Sequence, residues 1–183
     1  MFIISKDTPA YYITSVTNNR LAVFQKAKMK GLVCDALNEA RNSAPLLLFA
    51  YVVMSDHFHL LLGTARKPSE ALRYVNGISS HRVIGFLKDR GYDSSLEKLR
   101  HQEGKNRYRH SLWDHHPNLK LITDEDVFIQ KVNYIHQNPV RAGLVTDAKT
   151  YRWSSVRCWL GCMNDDEPLL MDLSEIRWHS RKA

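Results

Sequence analysis

The chain has 183 residues, 44% of them hydrophobic and 25% charged, which is typical of one globular domain with a sizeable core. Its longest apolar run, Leu46 to Met54, is too short to cross a bilayer, so the composition excludes a membrane-spanning helix. The 26 lysines and arginines outnumber the 19 aspartates and glutamates and give a formal charge of +7. That excess favours a polyanionic partner such as nucleic acid, although many basic proteins never bind one.

The three cysteines, Cys34, Cys158 and Cys162, form an odd set without the pattern of a disulfide framework. A zinc site would need further ligands, because no second cysteine pair accompanies Cys158 and Cys162. Free thiols in a reducing cytoplasm are therefore predicted. The first residues, Met1 to Lys6, lack a charged segment before a long apolar stretch, so no signal peptide is predicted and the protein is expected to be cytoplasmic.

Five elements are predicted in the first half of the chain. Aromatic and β-branched residues indicate strands, apolar residues at helical spacing indicate helices, and Ser55-Asp56 provides the tight turn of a hairpin. In chain order, the elements are a strand over Ala10–Thr17, a helix over Leu21–Asn42, strands over Leu46–Met54 and His57–Gly63, and a helix over Pro68–Lys88.

The second half of the chain is less regular. The segment Gly91–His110 is polar and basic, and it is predicted to be a mobile loop or a poorly formed helix. A short fourth strand is predicted over Ser111–His115. A helix then begins near Thr123, with acidic residues in its first turn, and is expected to stop at or before Asn138-Pro139. Beyond Val145 the chain is predicted to be irregular.

The predicted order is β-α-β-β-α-β followed by helices. This order is typical of an α+β, ferredoxin-like split βαβ fold, with an antiparallel sheet, helices on one face and additional C-terminal helices. The main domain is predicted over residues 1–160, and residues 161–183 form an extension that is first acidic and then basic. Such a fold hosts too many activities to indicate one function.

Two histidines lead into a hydrophobic strand. His57 and His59 alternate along the strand, so both side chains are expected to leave the same face of the sheet. Two imidazoles side by side on a rigid element form half of a metal site, whereas the alternative is a polar pair on a solvated face. The hydrophobic residues on both sides of the pair favour the metal site, because they place it at the start of a buried strand.

A second group of residues lies on the last predicted helix. Tyr134 and Asn138 are separated by four residues and share a helix face. A tyrosine beside a metal site is a suitable nucleophile for a phosphodiester, because nearby positive charge favours a phenolate. An asparagine amide oxygen one turn later could complete the metal coordination. The competing interpretation of Tyr134 is a half-buried aromatic with its hydroxyl at the surface.

Two motifs carry a resemblance to a known family. Met54-Ser-Asp-His-Phe-His-Leu-Leu-Leu62 resembles the His-hydrophobic-His motif of HUH endonucleases, and Tyr134-Ile-His-Gln-Asn-Pro-Val-Arg-Ala-Gly-Leu-Val145 resembles the single-tyrosine motif of their transposase branch. More narrowly, the chain is similar to the REP-associated tyrosine transposases, relatives of small insertion-sequence transposases. The resemblance covers about residues 11–155, with the motifs in the expected order.

The resemblance implies roles for particular residues. His57 and His59 would bind Mg²⁺ or Mn²⁺, Tyr134 would be the nucleophile, and Asn138 stands where the family is expected to supply a third, polar ligand. The chain has Ser55-Asp56 where relatives commonly have Pro-Asn or Pro-Glu, a change that a turn tolerates. The implied activity is cleavage and rejoining of single-stranded DNA through a 5′-phosphotyrosine, at hairpins such as repetitive extragenic palindromes (REP).

DNA contacts are also predicted, at Lys105, Arg107, Arg109, Arg141 and His115, with a solvated charged surface as the alternative. A DNA partner implies association with the bacterial nucleoid, and a homodimer is compatible with the family. Two other functions stay open. One is a DNA-hairpin-binding protein of this fold without catalysis, and the other is a metal-dependent hydrolase of small phosphoesters.

Overall fold

The computed structural model describes residues 1–103, 107–114 and 118–178, and its centre is a four-stranded antiparallel sheet. The strands are β1 (Phe2–Ile4), β2 (Ala10–Val16), β3 (Leu47–Val53), β4 (His57–Gly63), β5 (Arg100–Glu103), β6 (Arg107–His110), β7 (Asn118–Ile122) and β8 (Ile176–Trp178). The helices are α1 (Ala27–Ser43), α2 (Pro68–Asp89), α3 (Asp93–Lys98), α4 (Glu125–Arg141) and α5 (Val156–Leu160). Within the described ranges, no helix is long and apolar enough to cross a membrane.

The strand order of the central sheet is β3-β4-β2-β7, which is the ferredoxin-like arrangement predicted from the element order. Because side chains alternate along a strand, β2 sends Tyr11 and Ile13 to one face and Tyr12 to the other. Helices α1 and α2 cover the first face, and α4, one of the additional C-terminal helices, covers the second. The sheet therefore lies between two apolar layers, and both of its inner strands are buried.

The hairpin of β3 and β4 confirms the sequence prediction, and β4 has the predicted bounds. The predicted start of the first helix is wrong, because α1 begins at Ala27 rather than Leu21. Residues before α1 make tertiary hydrogen bonds instead of helical ones. Phe24 is fully buried, and its N–H donates to the Ser55 carbonyl at 2.8 Å.

Two predictions for the middle of the chain need correction. The segment Gly91–His110 is predicted as a mobile loop or a poorly formed helix; it contains a short helix, α3, and also the paired strands β5 and β6, which were not predicted. The fourth sheet strand is β7, not Ser111–His115, although His115 itself lies outside the described residues. Trp113 enters the core, and its indole N–H donates to the Ser79 hydroxyl at 3.0 Å. Trp113 therefore makes only an isolated bridge to Thr17 instead of extending a ladder.

Helix α4 continues through Pro139 to Arg141, so the predicted stop before this proline is wrong. A proline loses the hydrogen bond that its own nitrogen would have donated and crowds the carbonyl four residues earlier, but only Val140 and Arg141 follow it in this helix. The Pro139 carbonyl accepts from Leu144 N–H at 2.9 Å, and Gly143, with a φ of +68°, ends the helix in the left-handed region. The helix start agrees with the prediction, since the Asp124 carboxylate caps the N–H groups of Asp126 and Val127.

Between Val145 and Trp178 the chain forms the helix α5 and the strand β8, which corrects the prediction of an irregular segment. After α5, it returns to the sheet, where the Asp172 carboxylate accepts from Leu48 N–H at 2.8 Å. Strand β8 then pairs in parallel with β1, and Trp178 packs edge-on against Phe128 of α4. All three cysteines are free, as predicted.

A buried ion pair holds the segment after α5 against α5 itself. Arg157 Nη2 donates to Glu167 at 2.8 Å, Nε donates to the second carboxylate oxygen, and the exposed fractions of the two side chains are only 9% and 1%.

We expect Glu167→Gln to lower the free energy of unfolding by about 3 kcal/mol, because it leaves the Arg157 charge buried without a counter-charge. Urea denaturation measures the loss. Asp166→Asn, in an exposed pair with Arg152, is the control and should cost less than about 1 kcal/mol; equal losses would contradict the prediction.

Gly63 ends β4 where no side chain fits. An alanine Cβ there would lie 2.8 Å from the ring of Phe49, which is fully buried and packed against Phe128. We expect Gly63→Ala to destabilise the protein by about 1–3 kcal/mol, because the overlap forces the core apart. Gly77→Ala is the matched control on an exposed part of α2, with nothing within 4 Å of the new Cβ. It should stabilise by about 0.5–1 kcal/mol through helix propensity, and a thermal shift in the same direction for both variants would refute this account.

Candidate active site

The two histidines lie on the sheet face that α4 covers. In the ladder between β2 and β4, His59 is opposite Thr14 and His57 is opposite Val16. The two imidazole centroids are 4.9 Å apart and the rings meet edge-on. The alternation predicted from the sequence therefore places both rings side by side on one face.

Each histidine uses its Nδ1 atom for a hydrogen bond to the protein. His57 Nδ1–H donates to the Asp56 carboxylate at 2.6 Å. His59 Nδ1 lies 2.8 Å from both the Tyr12 and the Thr14 hydroxyl oxygens. In the tautomer that carries its proton on Nδ1, His59 shares that single proton between the two hydroxyls and keeps Nε2 free for a ligand. The same neutral tautomer of His57 would leave its Nε2 free as well.

Burial keeps His59 neutral. Its side chain is only 5% exposed, and this burial lowers its pKa to about 3, helped by the nearby charges of His57, Arg141 and Lys131. Burial likewise raises the pKa of Tyr12 to about 12, so its phenol stays protonated and can keep its hydrogen bond. A neutral imidazole is the form that binds a metal ion.

Tyr134 lies on α4 above this pair. Its ring centroid is 5.4 Å from that of His59 and 6.3 Å from that of Tyr12, in edge-on contact with both. The residue is 40% exposed, in contrast to the buried His59. The structure thus brings Tyr134 and both predicted histidines together within one chain, and leaves the tyrosine open to a ligand from solvent.

Two cations flank the tyrosine. The Arg141 guanidinium carbon is 4.2 Å from the Tyr134 ring centroid, and Lys131 Nζ is 5.5 Å from it. Arg141 also donates to the Tyr134 carbonyl at 2.6 Å. These cations attract the negative charge of a phosphate that binds beside the tyrosine ring. Arg141 was predicted from the sequence, but Lys131 was missed, although its position three residues before Tyr134 places it on the same helix face.

Asn138 follows Tyr134 by one turn of α4 and is half-buried. Within the described ranges, its side-chain amide makes no hydrogen bond, so its oxygen is available to a ligand. Of the other predicted contact residues, Arg107 and Arg109 lie on β6, and Arg109 is exposed. Lys105 and His115 lie outside the described residues.

Four further side chains lie near the site, one with a structural role and three as hydrogen-bond partners of the histidines. His136 was expected to point away from Tyr134, and it is buried with Nε2 2.9 Å from the Ser155 hydroxyl. Burial lowers its pKa to about 4, so it is a neutral structural histidine. Tyr12, Thr14 and Asp56 were missed in the sequence, because only the strand register and the turn bring them to the imidazoles.

The donor set fits a divalent metal ion with mixed ligands. Among the described residues, no third His, Cys, Asp or Glu joins His57 and His59. A further ligand from the described residues would therefore be neutral, as the Asn138 amide is. Two imidazoles and an amide oxygen suit Mn²⁺ at least as well as Mg²⁺, which prefers oxygen.

A family comparison identifies the class of protein. Residues 6–138 match the family model described as IS200-like transposases, so the chain belongs to this family. The matched range contains both histidines, Tyr134 and Asn138. Transposases of this family cut and rejoin DNA.

Within that class, the chain is similar to REP-associated tyrosine transposases. A Haemophilus influenzae protein assigned as one is 28% identical over 161 residues, covering 79% of this chain and 78% of the relative. The fold also matches a solved structure of a REP-associated tyrosine transposase bound to a REP hairpin, with a TM-score of 0.62 and 16% identity. That match covers 97% of this chain and 94% of the other. The resemblance predicted from the motifs is confirmed.

Proposed function

We propose that this chain is a metal-dependent single-stranded DNA endonuclease and strand-transferase that acts through Tyr134. The observation that carries the proposal is the position of the exposed Tyr134 ring, 5.4 Å from His59 and flanked by Lys131 and Arg141. A nucleophile, two free imidazole nitrogens and two cations then surround the place where a phosphodiester would bind. Because all of them belong to one chain, the proposed site is complete within a monomer.

The proposed reaction is a transesterification. The Tyr134 oxygen attacks the phosphorus of a DNA phosphodiester, and the bond from that phosphorus to the 3′ oxygen breaks. The phenol loses its proton, the departing oxygen gains one, and the products are a 5′-phosphotyrosine and a free 3′-OH. The same or another 3′-OH can reverse the step, and no nucleotide cofactor is needed because the covalent intermediate retains the bond energy.

His57 and His59 would hold Mg²⁺ or Mn²⁺ through Nε2, with the Asn138 amide oxygen as the third protein ligand. A bound divalent ion polarises a phosphate and stabilises charge on a departing oxygen. Asp56 fixes the orientation of His57, and Tyr12 and Thr14 do the same for His59. Lys131 and Arg141 bind the charged phosphate and hold it against the tyrosine.

The proposed substrate is single-stranded DNA at a hairpin, such as a REP element. The structural match to a transposase bound to a REP hairpin and the excess of 26 basic over 19 acidic residues support this substrate. A small phosphoester would not need that charge excess. The choice between a DNA enzyme and a non-catalytic hairpin-binding protein depends on the covalent step.

The covalent step can be tested directly on the unmodified chain. With Mn²⁺ and labelled DNA hairpins that carry single-stranded flanks, the chain should form an adduct that survives denaturation. Protease digestion and mass spectrometry should place the nucleotide on the peptide that contains Tyr134. Hairpin binding without any adduct, over a broad set of flank sequences, would instead establish a non-catalytic hairpin-binding protein.

The hydroxyl groups that hold His59 can be tested separately. We expect the double variant Tyr12→Phe/Thr14→Val to weaken Mn²⁺ binding by about 10- to 100-fold, because His59 loses both partners that fix its ring and tautomer. Tyr12→Phe alone should have a smaller effect, since the Thr14 hydroxyl remains. Isothermal titration measures the affinity, and an unchanged affinity in the double variant would refute this role.

A further inference from the structure

A cavity of about 260 Å³ lies away from the candidate active site, between the segment before α1, the end of α2 and α3. Its floor is apolar and includes Met29, Phe86 and Leu87. Three lysines line it, and its described lining includes no acidic side chain; these lysines are Lys26, Lys28 and Lys98. The cavity therefore combines an apolar surface with positive charge.

Two aromatic rings form one wall of this cavity. Phe86 and Tyr92 are stacked with centroids 6.2 Å apart at an angle of 28°, and Tyr92 is exposed. Lys26 Nζ lies 5.5 Å from the Tyr92 centroid, and the Arg90 guanidinium lies 5.7 Å from that of Phe86. Exposed aromatic rings between cations are what proteins use to bind single-stranded nucleic acid, because bases stack on the rings and phosphates bind the charges.

The cavity is joined to the candidate active site by hydrogen bonds. Phe24, in the segment that lines the cavity, donates from its N–H to the Ser55 carbonyl at 2.8 Å. In the same segment, Arg20 binds the Asp56 carboxylate at 3.2 Å, and the other oxygen of that carboxylate accepts from His57. The exposed Arg20 therefore adjoins both the turn before His57 and the segment that lines the cavity.

We propose that this cavity is a subsite for one nucleotide of single-stranded DNA flanking the cleavage position. The base stacks on Tyr92, and the adjoining phosphates bind Lys26, Lys28 and Lys98. A volume of about 260 Å³ is just below the roughly 300 Å³ of the smallest typical ligand pockets, and suits a single nucleotide rather than a duplex. This inference rests on the proposed DNA substrate, but it concerns a second position on that substrate.

Binding of a labelled oligothymidine of about 12 nucleotides, measured by fluorescence anisotropy, tests the subsite without catalysis. We expect Tyr92→Ala to weaken binding by about 5- to 100-fold through loss of stacking. Lys26→Ala/Lys28→Ala should reduce the slope of log affinity against log salt by about 1.4, because two phosphate contacts are lost. An oligothymidine that carries 5-bromouracil should photocrosslink to the peptide that contains Tyr92.

Matched variants separate the subsite from general charge and from folding. Lys6→Ala/Lys149→Ala removes the same charge at two other exposed positions and should leave the salt slope near that of the unmodified chain. Circular dichroism melting checks that Tyr92→Ala is folded. Wild-type affinity and slope in the cavity variants, or no oligothymidine binding by the unmodified chain, would overturn the subsite. Failure to form a Tyr134 adduct would overturn the proposed function and leave these binding results unaffected.

Discussion

Tyr134→Phe should abolish the covalent DNA adduct, with a loss of at least about a thousandfold in the rate of strand cleavage. Phenylalanine keeps the ring but has no oxygen to attack phosphorus. The ring contacts to His59 and Tyr12 and the guanidinium of Arg141 involve the face and edge of the ring rather than its hydroxyl. In the described part of the chain, that hydroxyl makes no hydrogen bond, so we expect the free energy of unfolding to change by less than about 0.5 kcal/mol.

Gel analysis under denaturing conditions measures the adduct, and anisotropy measures hairpin affinity for the same variant. Affinity should stay close to that of the unmodified chain, because Lys131 and Arg141 remain. Tyr74→Phe is the matched control, since Tyr74 also lies on a helix, beneath the guanidinium groups of Arg66 and Arg73. An adduct that persists in Tyr134→Phe would place the nucleophile on another residue.

His57→Ala should have the second-largest effect, a loss of about a hundredfold or more in adduct formation at fixed Mn²⁺. A bound metal ion stabilises the transition state of phosphoryl transfer by several kcal/mol, so weaker metal binding lowers the reaction rate. His57 is the cleaner choice of the two histidines, because it is less buried than His59 and its removal leaves the Tyr12 and Thr14 hydroxyls with their partner. Mn²⁺ affinity should fall as well, and excess Mn²⁺ should restore part of the activity.

Chelation provides the same test without a mutation. Excess EDTA should stop adduct formation by the unmodified chain, and added Mn²⁺ should restore it. His81→Ala, an exposed histidine on α2, should behave like the unmodified chain in every assay. Full activity of His57→Ala, or of the unmodified chain in EDTA, would show that the imidazole pair does not hold a catalytic metal ion.

Local patterns were enough to predict most of the sheet. Strand β4 was predicted with its correct bounds, because apolar residues follow the histidine pair and a turn precedes it. The predictions were wrong where tertiary contacts decide between alternatives. Phe24 was predicted in a helix but lies before α1, where its side chain is buried in the core. Trp113 was predicted in a strand, but its side chain enters the core and donates a hydrogen bond to Ser79. Pro139 lies within α4 because it falls in the last turn, where only Val140 and Arg141 follow it.

The sequence by itself determined the types of functional side chain and which of them share a face. The two-residue spacing of His57 and His59 on a strand, and the four-residue spacing of Tyr134 and Asn138 on a helix, follow from backbone periodicity alone. The sequence also contains the two motifs that indicated the transposase family, to which the chain belongs. These features survive any change in how the elements pack.

Only the tertiary structure decided how these two faces meet and what surrounds them. The register of β2 against β4 brings Tyr12 and Thr14 to His59, and the packing of α4 across the sheet sets Tyr134, Lys131 and Arg141 above it. A contact between residues more than forty positions apart depends on strand pairing and on burial of apolar faces. Neither has a local signature in the chain, because each is settled by the energy of the whole core.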